Sequence, residues 1–148
     1  MKRQLIAFCV VCLFHAPVVY GQRNPPFPPD DPKLFHAFFL NPPVQQQAHI
    51  NAADVPQVIA LAHTAAQRLK DLDTRLQSYL NLVNSRKQKP DATMLQSFDG
   101  AQYVLDIRGR NDLRRGLSPQ GLQELRAYVN GALRDGVNSG AIPLEGPK

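Results

Sequence analysis

From Asp54 to about Arg86, apolar residues recur at steps of three and four: Val55, Val58, Ala62, Ala65, Leu69, Leu72, Leu76, Tyr79 and Val83. Ile59, Ala66 and Leu80 widen the stripe. A period near 3.6 returns these positions to one side of a helix. About 33 residues at 1.5 Å each make a rod of roughly 50 Å. Such a helix is unstable alone in water and must cover its stripe with the rest of the chain. The sequence therefore predicts an all-α fold: a small bundle of about four helices around one long central helix, with Leu72 near its middle. Asp54 and Gln57 have the spacing of a capping box at its start. Asp71 and Arg75 form an acid-first i, i+4 pair. Pro90 ends it.

The segment ahead of this helix sets the compartment. Lys2 and Arg3 precede ten unbroken apolar residues, Leu5 to Phe14, a run shorter than the roughly 20 that a membrane span needs. Pro17, Val19 and Gly21 follow. This is the pattern of a secretory signal over residues 1–21, cut between Gly21 and Gln22. The expected location is outside the cytoplasm, periplasmic or extracellular, with no transmembrane span left after cleavage. Cleavage removes 21 of 148 residues and leaves 127. It also removes Cys9 and Cys12, the only cysteines, whose C-x-x-C spacing lacks the strand-then-helix setting of a redox motif. The mature chain is then disulfide-free and relies on its core. Its net charge falls from +5 to +3 with the loss of Lys2 and Arg3. That mild excess does not point to nucleic acid.

Four prolines around Phe27 make residues 22–31 an extended arm. The helical domain is expected over 32–140. Asp31-Pro32 starts a short helix with a capping acceptor and a proline at the first position. Leu34, Phe35, Phe38 and Phe39 give it one apolar side, suited to plugging the end of a bundle. Asn41-Pro42-Pro43 stops it, and residues 44–53 read as a polar connection or a weak turn of helix. A third helix starts at Asp91 and carries Met94, Leu95, Phe98, Leu105 and Leu113, with a break or kink expected near Asp99-Gly100. Ser118-Pro119 opens a fourth, whose stripe is Leu122, Leu125, Val129, Ala132 and Leu133. Gly136 and Gly140 end it, and residues 141–148 are expected to be a loose tail.

Chemistry is sparse. His36, His49 and His63 have no His or Cys three or four residues away, so no metal set is expected. Nucleophile motifs and phosphate-cradling glycine loops are absent. No cofactor and no catalytic residue is assigned, and an enzyme or small-ligand carrier with a site between helices stands as the alternative to a binding protein. Leu117-Ser118-Pro119-Gln120 resembles the Leu-Thr-x-x-Gln helix starts of small exported bacterial helical chaperones and stress sensors of the Spy/CpxP type. Gln120 falls one position early, and the pattern occurs once over four residues. The resemblance implies only a function class, the holding of clients or partners.

The remaining charge feature is Arg108, Arg110, Arg114 and Arg115, four arginines within eight residues at the end of the third helix. Asp106 with Arg110 and Arg108 with Asp112 have i, i+4 spacing and could absorb part of it. Guanidinium forks suit carboxylates and phosphates. Projection places Arg108 and Arg115 on one side of the helix and Arg110 and Arg114 on another. The expected function is that of an exported, non-enzymatic helical protein that binds an acidic protein or an anionic envelope component. Arg108 and Arg115 are its expected contacts. The long stripe is also compatible with an oligomer.

Overall fold

The computed structural model describes residues 30–145, which form helices and no strand. Five helices follow one another. They are α1 (Pro32–Leu40), α2 (Pro42–Gln47), α3 (Val55–Ser85), α4 (Ala92–Gly116) and α5. Helix α5 runs as Pro119–Tyr128, a π-helical stretch Val129–Leu133 and a last α-helical turn Arg134–Asn138. The expected signal segment, its Gly21/Gln22 cut and the arm up to Pro29 lie outside the described residues.

Three of the expected helix starts form as read. Asp31 accepts from the Lys33 N–H at 2.8 Å, Asp91 from Met94 at 2.9 Å, and the Ser118 hydroxyl from Gly121 at 3.1 Å. Each satisfies one of the donors that a helix N-terminus leaves open. The fourth differs. Asp54 makes no side-chain bond to the start of α3. Its carboxylate instead accepts from the backbone N–H and the hydroxyl of Ser118. It thus ties the first turn of α3 to the start of α5, and Asp54 is buried there. Gly121 is required beside it, because a Cβ at that position would overlap the carboxylate.

The long helix α3 is central, as expected, and the most deeply buried run belongs to α1. Leu34, Phe35, Ala37, Phe38 and Phe39 are all 3% exposed or less. Burial of three phenylalanines supplies roughly 1.5–3 kcal/mol each, more than any other short stretch of the chain offers. Around them close Val58, Ala62, Ala65 and Leu69 of α3, Leu113 of α4, and Leu125, Val129 and Leu133 of α5. The short aromatic helix is therefore the middle of the bundle's base, not a plug at its end. The polar connection that follows contains a real helix, α2, started by Pro42 with Val44 turned inward.

Beyond the base, α3 and α4 continue alone as an antiparallel hairpin. Of the distal half of the α3 stripe only Val83 is buried; Leu72, Leu76, Tyr79 and Leu80 are half-covered. Leu72 is thus at the edge of the base and not at the bundle's middle, because α1 and α5 are too short to reach past it. The hairpin end is pinned by the Tyr79 hydroxyl, which accepts from the Asp91 N–H at 2.8 Å, and by the Tyr79 and Phe98 rings 6.1 Å apart. Helix α4 runs unbroken through Gly100. Gly100 lies where nothing packs, so its small size is not needed there.

Residues 141–145, expected to be loose, run back over the base. Ile142 and Leu144 pack against the core, the Ile142 N–H donates to the Gly136 carbonyl at 3.0 Å, and the Asn41 amide donates to the Pro143 carbonyl at 3.1 Å. Two apolar side chains in a short tail are enough to hold it down.

Candidate functional site

The four arginines at the end of α4 are divided by the helix that carries them. Arg110 and Arg114 stand one turn apart and face α5, with Leu113 fully buried between them. Arg115 turns the other way and donates to Asp112 at 3.0 Å, and Asp112 also accepts from Arg68 of α3 at 2.9 Å. The Arg68 guanidinium holds the Asp112 carboxyl below the usual carboxylate range. Arg108 is exposed and lines no cleft. Of the four arginines, Arg110 and Arg114 line one cleft, and Arg108 and Arg115 do not. Neither expected i, i+4 ion pair forms. Asp112 is taken by Arg68 and Arg115, and Asp106 turns into the core.

Arg110 and Arg114 line a cleft of about 180 Å³ between α1, α4 and α5. Phe35, Leu113 and Leu122 give it an apolar floor, while Arg126 of α5 and Asp30 stand at its rim. Three guanidiniums against one carboxylate leave it net positive. Leu122 and Arg126 are i, i+4 on α5, as Arg110 and Arg114 are on α4, so two helix flanks face each other across the cleft.

Asp30 is the one anion at this rim. Arg126 forks its carboxylate, Nε to Oδ1 at 3.2 Å and Nη2 to Oδ2 at 2.6 Å. That fork holds the Asp30 carboxyl below its usual value. The Asp30 N–H donates to Asn130 Oδ1 at 2.9 Å, and its carbonyl accepts from Arg110 Nη1 at 3.0 Å. Two donor sets stay open. Arg110 Nε is buried with no hydrogen-bond partner. Arg114, exposed at the mouth, makes no hydrogen bond or ion pair among the described residues. Buried donors seek acceptors, since an unmet one costs roughly 1–3 kcal/mol. The arrangement can receive an anion. It offers no nucleophile and no paired acid and base.

Sequence reasoning missed Asp30, Arg126 and Asn130. Asp30 lies one residue before the cap, which Asp31 provides alone. Arg126 and Asn130 are i, i+4 on one flank of α5, beside the apolar stripe. That flank position is the signal that could have singled them out.

The histidines lie elsewhere. His49 and His63 are exposed. His36 is buried, and its Nδ1 lies 2.9 Å from Oδ1 of Asp106, itself 1% exposed. Burial pushes the Asp106 carboxyl above its ordinary value, opposed by the bond to His36. This pair joins α1 to α4 inside the core, away from the cleft lining. Among the described residues no group of three His, Cys, Asp or Glu side chains is placed to hold a metal ion.

Exposed apolar side chains are scattered. Leu82, Met94, Tyr103 and Val104 are 44–61% exposed along the hairpin. Met94 and Tyr103, nine residues apart on α4, project to opposite sides at 100° per residue, so these residues do not merge into one groove. Among the described residues no helix is long and apolar enough to cross a membrane.

Comparison of the chain with protein-family models, with curated proteins and with solved structures finds no match. The helix-start resemblance to small exported chaperones gains no support from these comparisons, and the site's chemistry must carry the functional argument.

Proposed function

We propose that this protein is an exported, non-enzymatic helical binding protein that captures an acidic polypeptide partner through Arg110, Arg114 and Arg126. The observation that carries the reading is the unmatched positive cleft: three guanidiniums converge over an apolar floor, with Arg110 Nε buried and unpartnered. Arginine is the side chain suited to this task, since its fixed fork matches a carboxylate and its charge is weakly hydrated. The floor of Phe35, Leu113 and Leu122 adds apolar contact beside the charge. An acidic protein surface is the class of partner that offers both. Export is supported by the basic start, ten-residue apolar run and small residue at Gly21, all read from the sequence.

Capture of poly-L-glutamate by the immobilised mature chain tests this reading. Binding should fall as salt shortens the Debye length below about 10 Å. Arg110→Gln with Arg114→Gln should lower it at least tenfold. Arg108→Gln with Arg115→Gln removes the same charge from outside the cleft and should change it less than twofold. Equal losses in the two double variants would mean that overall charge, and not the cleft, does the binding.

A further inference from the structure

We infer that the cleft is built to read an acidic residue of a polypeptide, and that Asp30 occupies it in cis as a displaceable competitor for a partner's acidic segment. The inference rests on the cleft being the binding site and adds which ligand it reads and how the site is regulated.

The contacts to Asp30 are of three kinds, and together they describe an amino-acid residue. Asn130 Oδ1 takes the backbone N–H, Arg110 Nη1 gives to the backbone carbonyl, and Arg126 forks the side-chain carboxylate. A free phosphate or a lipid headgroup would use only the fork. An aspartyl residue in a chain uses all three, and Asp30 demonstrates the fit.

Two features make Asp30 replaceable. Its φ is +60°, in the left-handed region that a non-glycine residue enters at a cost. Its carboxylate and Arg126 are also open to water, with side chains 39% and 54% exposed. Exposed pairs of this kind exchange readily and are weak. The helix that follows does not depend on Asp30, because Asp31 caps α1 and Leu34 to Phe39 anchor it. Residue 30 can therefore leave while the base stays folded. An incoming acidic residue would take the Arg126 fork and the two backbone contacts. Its neighbours would reach Arg114, which makes no bond among the described residues.

The probe is a capped hexapeptide copying residues 27–32, Phe-Pro-Pro-Asp-Asp-Pro, and the same peptide with Asn in place of its first Asp. Binding to the full mature chain is read by fluorescence anisotropy. Asp30→Asn removes the internal anion and keeps a residue that tolerates positive φ. Asp30→Gly removes it and relieves the backbone, and so guards against a folding artefact. Both should bind the acidic peptide about three- to fivefold tighter than wild type, a modest factor in keeping with the release of an exposed pair. The Asn peptide should bind about three- to fivefold more weakly, since it lacks the same fork, and Arg126→Gln in the Asp30→Asn background should erase the difference between the two peptides. Unchanged or weaker peptide binding by both folded Asp30 variants, with poly-L-glutamate still captured through Arg110 and Arg114, would overturn the competitor and leave the cleft standing. Equal binding of the Asp and Asn peptides would overturn the reading of the ligand. Loss of all capture, poly-L-glutamate included, would overturn the cleft itself.

Discussion

Gly100 and Gly109 lie nine residues apart on α4, and replacement by alanine should move stability in opposite directions. A Cβ on Gly100 meets nothing within 4 Å. Gly100→Ala therefore collects the propensity difference between alanine and glycine in a helix interior, roughly 0.8–1.0 kcal/mol in favour of the fold. A Cβ on Gly109 would lie 2.6 and 2.7 Å from Cε2 and Cζ of Phe39 and 3.0 Å from Cβ of Ala65. Carbon atoms prefer about 3.5–4.0 Å, so the ring must retreat by about 1 Å. Phe39 is 1% exposed and packs against Phe35 and Phe38, with ring centroids 6.2 and 6.1 Å away, so the retreat displaces α1 as a whole. Overpacking of this kind costs about 1–3 kcal/mol, and an immobile ring puts it in the upper half of that range. After the propensity gain, Gly109→Ala should destabilise by about 1–2 kcal/mol. The two variants should then differ by about 2–3 kcal/mol, or about 8–12 °C in melting midpoint for a domain of this size. Circular dichroism melts in heat and urea measure both. Gly109→Ala at or above wild type would refute the close approach of α1, α3 and α4 on which the fold description rests.

Asp54→Ala should cost about 1–2 kcal/mol in urea melts, because it strips two part-buried bonds from Ser118 and leaves its N–H without that acceptor. A loss of a few tenths would mean that the α3–α5 tie is ornamental. Asp106→Ala should cost about 1–3 kcal/mol at pH 7 by orphaning the buried His36 ring nitrogen, with no change in poly-L-glutamate capture, since the pair lies away from the cleft lining. Lys87 closes α3 at φ +53°, with the Gln88 N–H reaching back to the Val83 carbonyl at 3.1 Å. Lys87→Gly should therefore raise stability by about 1 kcal/mol. The Arg68–Asp112 pair gives the pH dependence. Asp112 has a folded pKa below its ordinary 3.8, so its contribution is present above that value and lost as pH falls through the lowered one. Arg68→Gln should lower stability by under about 1 kcal/mol at pH 7 and converge on wild type in strong acid.

Much of the fold was legible because it rests on local signals. The caps at Asp31, Asp91 and Ser118 need only neighbouring residues to act, whereas α3 ends at Ser85, ahead of Pro90. The i, i+3, i+4 stripes likewise marked α3, α4 and α5. What periodicity could not give was extent of burial. It places Leu72 and Ala62 on one face of α3 alike, but only Ala62 belongs to the buried core. Which part of a long stripe is covered depends on the length of the partner helices, and α1 is nine residues long. The same limit governs polar groups. Asp106 and Arg110 have the spacing of a helix-surface pair, yet Asp106 is drawn to His36, 70 positions away in the chain. Asp54 has the spacing of a cap for its own helix and serves another.

The arginine cluster was legible as a cluster, but which of its members share a cleft was not. Helical projection separated Arg110 and Arg114 from Arg108 and Arg115 correctly. The choice between the two pairs depended on where α5 would lie. Arg126 belongs with Arg110 and Arg114 only through packing, since it comes from a different helix.

The side-chain Nε–H resonances of the arginines offer the most direct test of the cleft. In a nitrogen-edited NMR titration of the mature chain with a short capped oligoglutamate, each arginine reports its own contact with the anion. The cleft account predicts saturable shifts for Arg110, Arg114 and Arg126, with Arg108 and Arg115 unmoved beyond the general effect of added salt. Shifts confined to Arg108 and Arg115, or spread evenly over every arginine, would contradict it.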